Sequence, residues 1–394
     1  MMAGPRTSSP PPAVATPQTQ TVPTETVPAK GTSGVMSGGT TPPTVVTAAT
    51  ADPSTSQTVT DFIEAVDNVP EASDSDADST MGDEHSSFTA SITSSIVKYR
   101  TLNGRTYHSD SIGDHYWGSN DQAQNNLLDI GHHVLTLLLD GKLYGPPLKE
   151  PIERVLDLGT GTGSWAIDFA DAHPEAEIIG TDISPIQPTW VPPNVKLCYF
   201  SMIDDFNKPW LFPENHFDFI HIRWVPGTVH DWKWLFEQAY RTLKPGGWLE
   251  SLDNDGFFRS DDGTMSETTA TYDWKRIAIE GAKNMGLKPS ICTVLDDLTR
   301  PAIDAAGFVN ISETSYKVPY SEWPKDPKLK EIGLYCRAML ETDTEGMIGR
   351  LANAVGFTPE QTTIYSALVR KEMRSLNVHA YYCAKQVYGQ KPEA

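Results

Sequence analysis

The chain has 394 residues, enough for one large or two ordinary domains, and carries 51 acidic against 31 basic side chains for a net charge of −20. That balance argues against a broad basic face for a nucleic-acid backbone. Cys198, Cys292, Cys336 and Cys383 are scattered without Cys-x-x-Cys spacing, which argues against a disulfide framework.

Residues 1–60 are dominated by Pro, Thr, Ser, Ala and Gly, without apolar periodicity. Such a segment buries too little apolar surface to offset its ordering entropy. Residues 61–97 add nine acidic side chains and no Lys or Arg, so residues 1–97 hold eleven acids against two bases, nearly half of the net charge. A disordered acidic tail is expected over 1–90, solvating rather than binding, and a folded domain over 91–392. No stretch approaches the roughly 18 apolar residues of a membrane span, and no apolar segment follows a basic start. A cytoplasmic or nuclear protein without membrane or nucleic-acid partners is expected.

Order is expected to begin near residues 88–105, ahead of the aromatic stretch from Tyr107 to Trp117. From Asp121 to Leu139, apolar residues recur at helical spacing and stop before Asp140-Gly141. Strands are expected at 154–158, 177–182, 195–200, 217–222 and 248–252, with helices over 164–173 and 232–243. Lys244-Pro245-Gly246-Gly247 closes the second of these helices. Beyond Asp253 helices are expected at 269–285, 293–306 and from Pro327 to Arg350, with two further β segments at 308–317 and 378–382. The strand-helix alternation predicts an α/β fold with a mainly parallel sheet covered on both faces.

The first strand runs into Asp157-Leu158-Gly159-Thr160-Gly161-Thr162-Gly163. Ligands of open α/β sheets bind at the carboxyl ends of the strands, where glycines let the backbone approach closely and helix N-termini offer free N–H groups. Gly159, Gly161 and Gly163 suit either a wide turn beneath a nucleoside and an amino-acid moiety or a tight strand-to-helix turn without a ligand, and Asp157 is a carboxylate able to face a cationic ligand. A dinucleotide fingerprint needs a third glycine where Ser164 stands, and a Lys-Ser/Thr phosphate loop is absent. Asp182, next to Ile183 at the end of the second strand, is placed to accept both hydroxyls of a ribose. Ser184-Pro185 also suits it to capping a helix, and the spacing from the glycines favours ribose. Asp204 and Asp205 follow the third strand, where a carboxylate either accepts the exocyclic amine of adenine or caps a turn.

These residues resemble class I S-adenosylmethionine-dependent methyltransferases, as does the turn Leu243-Lys244-Pro245-Gly246-Gly247-Trp248-Leu249. Asn103-Gly104-Arg105-Thr106-Tyr107-His108, Trp165-Ala166-Ile167-Asp168-Phe169-Ala170-Asp171, Ser184-Pro185-Ile186-Gln187-Pro188 and the ending Val387-Tyr388-Gly389 narrow the likeness to the fungal LaeA-like methyltransferases, over about residues 88–392. The resemblance implies a Rossmann-like, seven-stranded sheet with helices on both faces. It implies S-adenosyl-L-methionine as cofactor, held by Asp157, Gly159, Gly161, Gly163, Asp182, Ile183, Asp204 and Asp205. It further implies either a small-molecule acceptor in secondary metabolite biosynthesis or a nuclear regulator working with velvet-type protein partners.

Methyl transfer is an in-line displacement that gains from positioning and water exclusion and calls for no metal. His221, Arg223, His230 and Asp231 fall near the expected mouth of the site. His230 is the candidate base if the reaction uses one, and capping of the helix at Trp232 by His230 or Asp231 is the stronger competing role. His132 and His133 point about 100° apart on a helix and read as packing or surface residues. Tyr107, Tyr116, Trp117, Trp224 and Trp232 either line an acceptor pocket or serve the core.

Overall fold

The structure, a computed structural model, describes residues 57–58, 99–108, 116–197, 205–287 and 289–393. The acidic tail therefore lies almost wholly outside the described residues, as does the far end of the expected strand 195–200. Gln57–Thr58 (β1) lies parallel on the edge of the sheet, and Arg100–Leu102 (β2) pairs with Arg105–Tyr107 (β3) in a hairpin.

Gln122–Leu138 (α1) starts on Asp121, whose side chain accepts the Gln124 N–H, and ends at Asp140 and Gly141, both in the left-handed region. The nucleotide-binding type of alternation then follows. Arg154–Leu158 (β4), Ser164–Ala172 (α2), Glu177–Thr181 (β5), Val195–Lys196 (β6), Phe217–Arg223 (β7), Trp232–Thr242 (α3) and Leu243–Asn254 (β8) match the expected elements within a few residues. Lys244-Pro245-Gly246-Gly247 is the irregular entry to β8, with Gly246 at φ +80° and a register slip opposite Phe217 and Phe219.

Ala270–Asn284 (α4), Thr299–Ala305 (α5), Val309–Pro319 (β9), Pro327–Ala354 (α6), Pro359–Ser375 (α7) and Tyr381–Gln390 (β10) complete the chain. Three of these differ from expectation. The helix expected over 293–306 forms only from Thr299, because Pro301 lacks an N–H and is accommodated in a first turn. The last β segment begins at Tyr381 rather than Val378 and runs to Gln390, clamped antiparallel between β8 and β9. A separate helix, α7, follows α6, capped by Thr358 and Gln361 in a reciprocal box with Pro359 in its first turn.

Beyond the β1 edge the sheet has seven strands in the order β9-β10-β8-β7-β4-β5-β6, all parallel except β10. The order reverses direction between β4 and β7, the crevice where open sheets bind ligands. Apolar side chains of β4, β7 and β8 alternate between two cores. Val155, Phe219 and Trp248 pack with Trp165 and Phe169 of α2, while Leu156, Ile220 and Leu249 pack with Leu235 and Phe236 of α3 and Ile303 of α5. A third core joins α1, α4, α6 and α7 over the carboxyl end of the sheet. No described helix is long and apolar enough to cross a membrane.

Candidate functional site

The glycine loop leaves β4 with three consecutive odd positions in the left-handed region: Gly159 at φ +67°, Gly161 at +59° and Gly163 at +84°. Side chains at these positions would be strained, so the loop is built from glycine. Thr160 sews it down, its N–H donating to the Thr181 carbonyl at 2.9 Å and its hydroxyl to Asp157 Oδ2 at 2.6 Å. Gln187 Nε2 holds the Gly161 carbonyl at 2.6 Å.

A cleft opens over this loop and is lined by Asp157, Gly159, Gly161, Asp182, Ile183 and Asp205 among others. The structure thus brings six of the expected cofactor residues to one cavity. Gly163 is not on its wall. It serves as the N-cap of α2, and a Cβ there would meet Leu197 Cδ1 at 2.7 Å. Asp204 lies outside the described residues.

Asp182 caps no helix, since none follows β5. Its Oδ2 accepts the Gly161 N–H at 2.8 Å and its Oδ1 the Ser184 N–H at 2.9 Å, so the carboxylate braces the loop against the next strand. Burial pushes its pKa up to about 6, against the opposing effect of these N–H donors. Asp205 accepts the Asn207 N–H at 3.0 Å, a turn cap that also faces the cleft.

Asp157 is the innermost of these acids. Its second oxygen lies 2.7 Å from Nδ1 of His221, which is buried and stacked on Trp165 with ring centres 3.7 Å apart. His221 is thus a support beneath the cleft floor and not a group at its mouth; burial lowers its pKa. Register extends the polar row, since Asp157, His221 and Glu250 are partners across β4, β7 and β8. Glu250 is fully buried, accepts the Gly145 N–H at 2.7 Å and has its pKa raised to about 7 by burial.

His230 does not line the cleft. Its backbone N–H donates to Asn207 Oδ1 at 2.9 Å, and the cap of α3 is Asp231, which accepts the Trp234 N–H. His132, expected as packing or surface, instead faces the cleft between Asp168 at 2.9 Å and Arg223 at 3.0 Å, while His133 packs edge-on against Tyr335. Asn120 was not among the expected site residues. It lines the cleft with a buried side-chain amide that has no partner among the described residues, the condition of a group completed by a ligand or water. Its signal was weak, one polar residue just ahead of a helix cap.

A second, mainly apolar chamber shares Tyr116, Leu128 and Trp224 with the cleft and is walled further by Trp117, Phe257, Trp274 and Tyr320. Of the five aromatics weighed in the sequence, Tyr116, Trp117 and Trp224 therefore reach a cavity, while Tyr107 and Trp232 are core.

The methyltransferase domain family matches residues 123–286. Methyltransferase pytC of Aspergillus terreus is 35% identical over 319 residues, covering 80% of this chain and 95% of that protein. The secondary metabolism regulator LAE1 of Cochliobolus heterostrophus is 34% identical, covering 71% of this chain and 90% of its own length. The probable methyltransferase tdiE of Emericella nidulans is 34% identical, covering 68% and 81%. The glycine loop, its acids and this likeness along most of the chain agree, and the chain belongs to the fungal LaeA-like family of class I S-adenosylmethionine-dependent methyltransferases.

Proposed function

We propose that this protein methylates a small-molecule intermediate of fungal secondary metabolism, with residues 91–392 as the methyltransferase domain. The observation that carries the reading is the chamber that shares Tyr116, Leu128 and Trp224 with the cofactor cleft, which offers a methyl acceptor a place beside the donor. In this reading Asp182 and Ile183 hold the ribose, Asp205 (with Asp204) the adenine, and Gly159, Gly161 and Gly163 shape the loop beneath the nucleoside. Asp157, with Asn120, faces the amino-acid and sulfonium end. The bound cofactor supplies an electrophilic methyl group; the chain's residues position it and exclude water. With His230 off the cleft wall, the reading rests on positioning and not on that residue as a base.

Calorimetric titration with S-adenosylhomocysteine tests it. Native protein should bind, and Gly161→Asp should abolish binding, since a side chain there is strained at φ +59° and would place a carboxylate on the wall of the cleft. Absence of binding by the native protein would sink the reading. A second reading is favoured by the relatives named as secondary metabolism regulators, among them LAE1. It has this domain acting through velvet-type protein partners, and co-purification with such a partner, together with no turnover of the intermediate made by neighbouring genes, would support it instead.

A further inference from the structure

We infer that the chamber behind Trp224 receives a neutral, largely apolar, ring-bearing acceptor, and that Trp224 is the wall that sets how such a molecule meets the cofactor cleft. This rests on the methyltransferase reading above and names the substrate class for the same site. Among the described residues, the only charged side chain on the chamber wall is Asp255. Its carboxylate is already paired with Arg259, at 2.9 Å through Oδ1 and by a second, shorter bond through Oδ2. An ammonium or carboxylate entering this space would lose its water and find no unpaired counter-charge. An apolar ring would instead gain the faces of Trp117, Trp274 and Tyr320.

The adaptable part of the wall comes from α6. Met339 and Met347 stand four residues to either side of Asp343, where the helix breaks at φ −151° and ψ 53°, and both reach the chamber. Thioether side chains conform to irregular shapes, so the chamber is suited to a class of rings rather than to one outline.

Trp224 is set apart by three independent features. It is a bulky residue at φ +53°, a conformation that persists only where the surroundings enforce it. Its six-membered ring lies over Gly131 of α1, where a Cβ would stand 2.1 Å from Cζ3, so α1 is notched to receive it. It also borders both cavities. Strain together with a place between two cavities marks a functional wall.

The test uses the full chain saturated with S-adenosylhomocysteine and three probes of one shape: 2-naphthol, 2-naphthoate and 2-naphthylmethylammonium. Calorimetry should show 2-naphthol binding about tenfold or more tighter than either ion. Met347→Trp, which fills the chamber with apolar bulk, should weaken 2-naphthol about tenfold while leaving the S-adenosylhomocysteine affinity within about twofold. Trp224→Gly, which relieves the positive φ, should shift preference from 2-naphthol toward the larger 1-hydroxypyrene about fivefold. Either ion binding as tightly as 2-naphthol, or Met347→Trp binding it as well as the native chain does, would overturn the acceptor class. An unchanged ring preference in Trp224→Gly would overturn the role of Trp224. Failure of the native chain to bind S-adenosylhomocysteine would strike the cofactor reading instead, which keeps the two apart.

Discussion

Asp182 accepts a backbone N–H on each oxygen, and as a carboxylate it is a stronger acceptor for hydroxyl groups than as a neutral acid. Burial places that ionisation near pH 6, with Asp157 adding a smaller upward push. If Asp182 accepts the ribose hydroxyls, the protonated form binds poorly, so affinity for S-adenosylhomocysteine must fall as pH drops through 6. A midpoint there leaves about one carboxyl in ten ionised at pH 5, so binding at pH 5 should be about tenfold weaker than at pH 7.5. Titrations at the two pH values check this, and Asp182→Asn should be weak and nearly pH-independent between them. Equal affinities in the native protein would contradict the ribose role.

Elements decide how the acceptor wall is held. Arg105, in the β2–β3 hairpin, reaches Asp121 at the start of α1 and also donates twice to Asp343, at 2.7 Å each, inside the kink of α6. Asp343 is buried, and its Oδ1 further accepts the Gly346 N–H at 2.8 Å. The kink is therefore a charge-anchored feature that ties α6 to the hairpin and α1, more than two hundred residues earlier in the chain. Arg105→Ala would leave the buried carboxylate without its cation, and a loss of about 2–3 kcal/mol in denaturant-measured stability is expected. Arg105→Lys should recover part of it, because a single ammonium cannot reproduce the forked contacts. A loss below about 0.5 kcal/mol in Arg105→Ala would show that α6 kinks without this anchor.

The same contrast explains what could be read in advance. The cofactor half was legible because its signals are local: glycines needing positive φ, acids at strand ends, and apolar periods of 2 and 3.6 from Leu127 to Leu252. Asn120, the kink at Asp343 and the chamber were not, because they arise where hairpin, α1, α4 and α6 meet, and no single segment encodes that meeting. Two elements lay between these cases. The capping box of Thr358 and Gln361 with Pro359 is a local start signal for α7 that an emphasis on apolar spacing passes over. The extent of β10 was hidden because Lys385 and Gln386 interrupt its alternation, yet both have partners, Lys385 with Asp297 and Glu313, and Gln386 with the Tyr316 hydroxyl.

Across the whole molecule the acids inside the sheet set a pH preference that the outer charges reinforce. Glu250 and Asp253 are almost fully buried, and burial raises them to about 7 and about 8. Such groups stay protonated in the fold while the unfolded chain ionises near pH 4, so the stability they contribute is full below about pH 4 and is lost progressively until pH passes 7 and 8. His221 acts in the opposite sense. Its folded pKa is lowered, the unfolded chain takes up a proton below about 6.5, and stability is lost as pH falls from there. Paired carboxylates such as Asp121 and Glu177, held low in the fold, add their own loss below about 4. The net charge of −20 adds self-repulsion on the alkaline side. The melting temperature should therefore peak near pH 4–5, measured by differential scanning calorimetry, and decline towards pH 8. Glu250→Gln keeps the shape and removes the ionisation, so it should exceed the native protein in stability at pH 8 by about 2–4 kcal/mol and show no such gain at pH 5. A native melting temperature that rises from pH 5 to pH 8, or a Gln variant with the same deficit at both, would mean that Glu250 is ionised within the sheet and that His221 and Arg223 compensate it there.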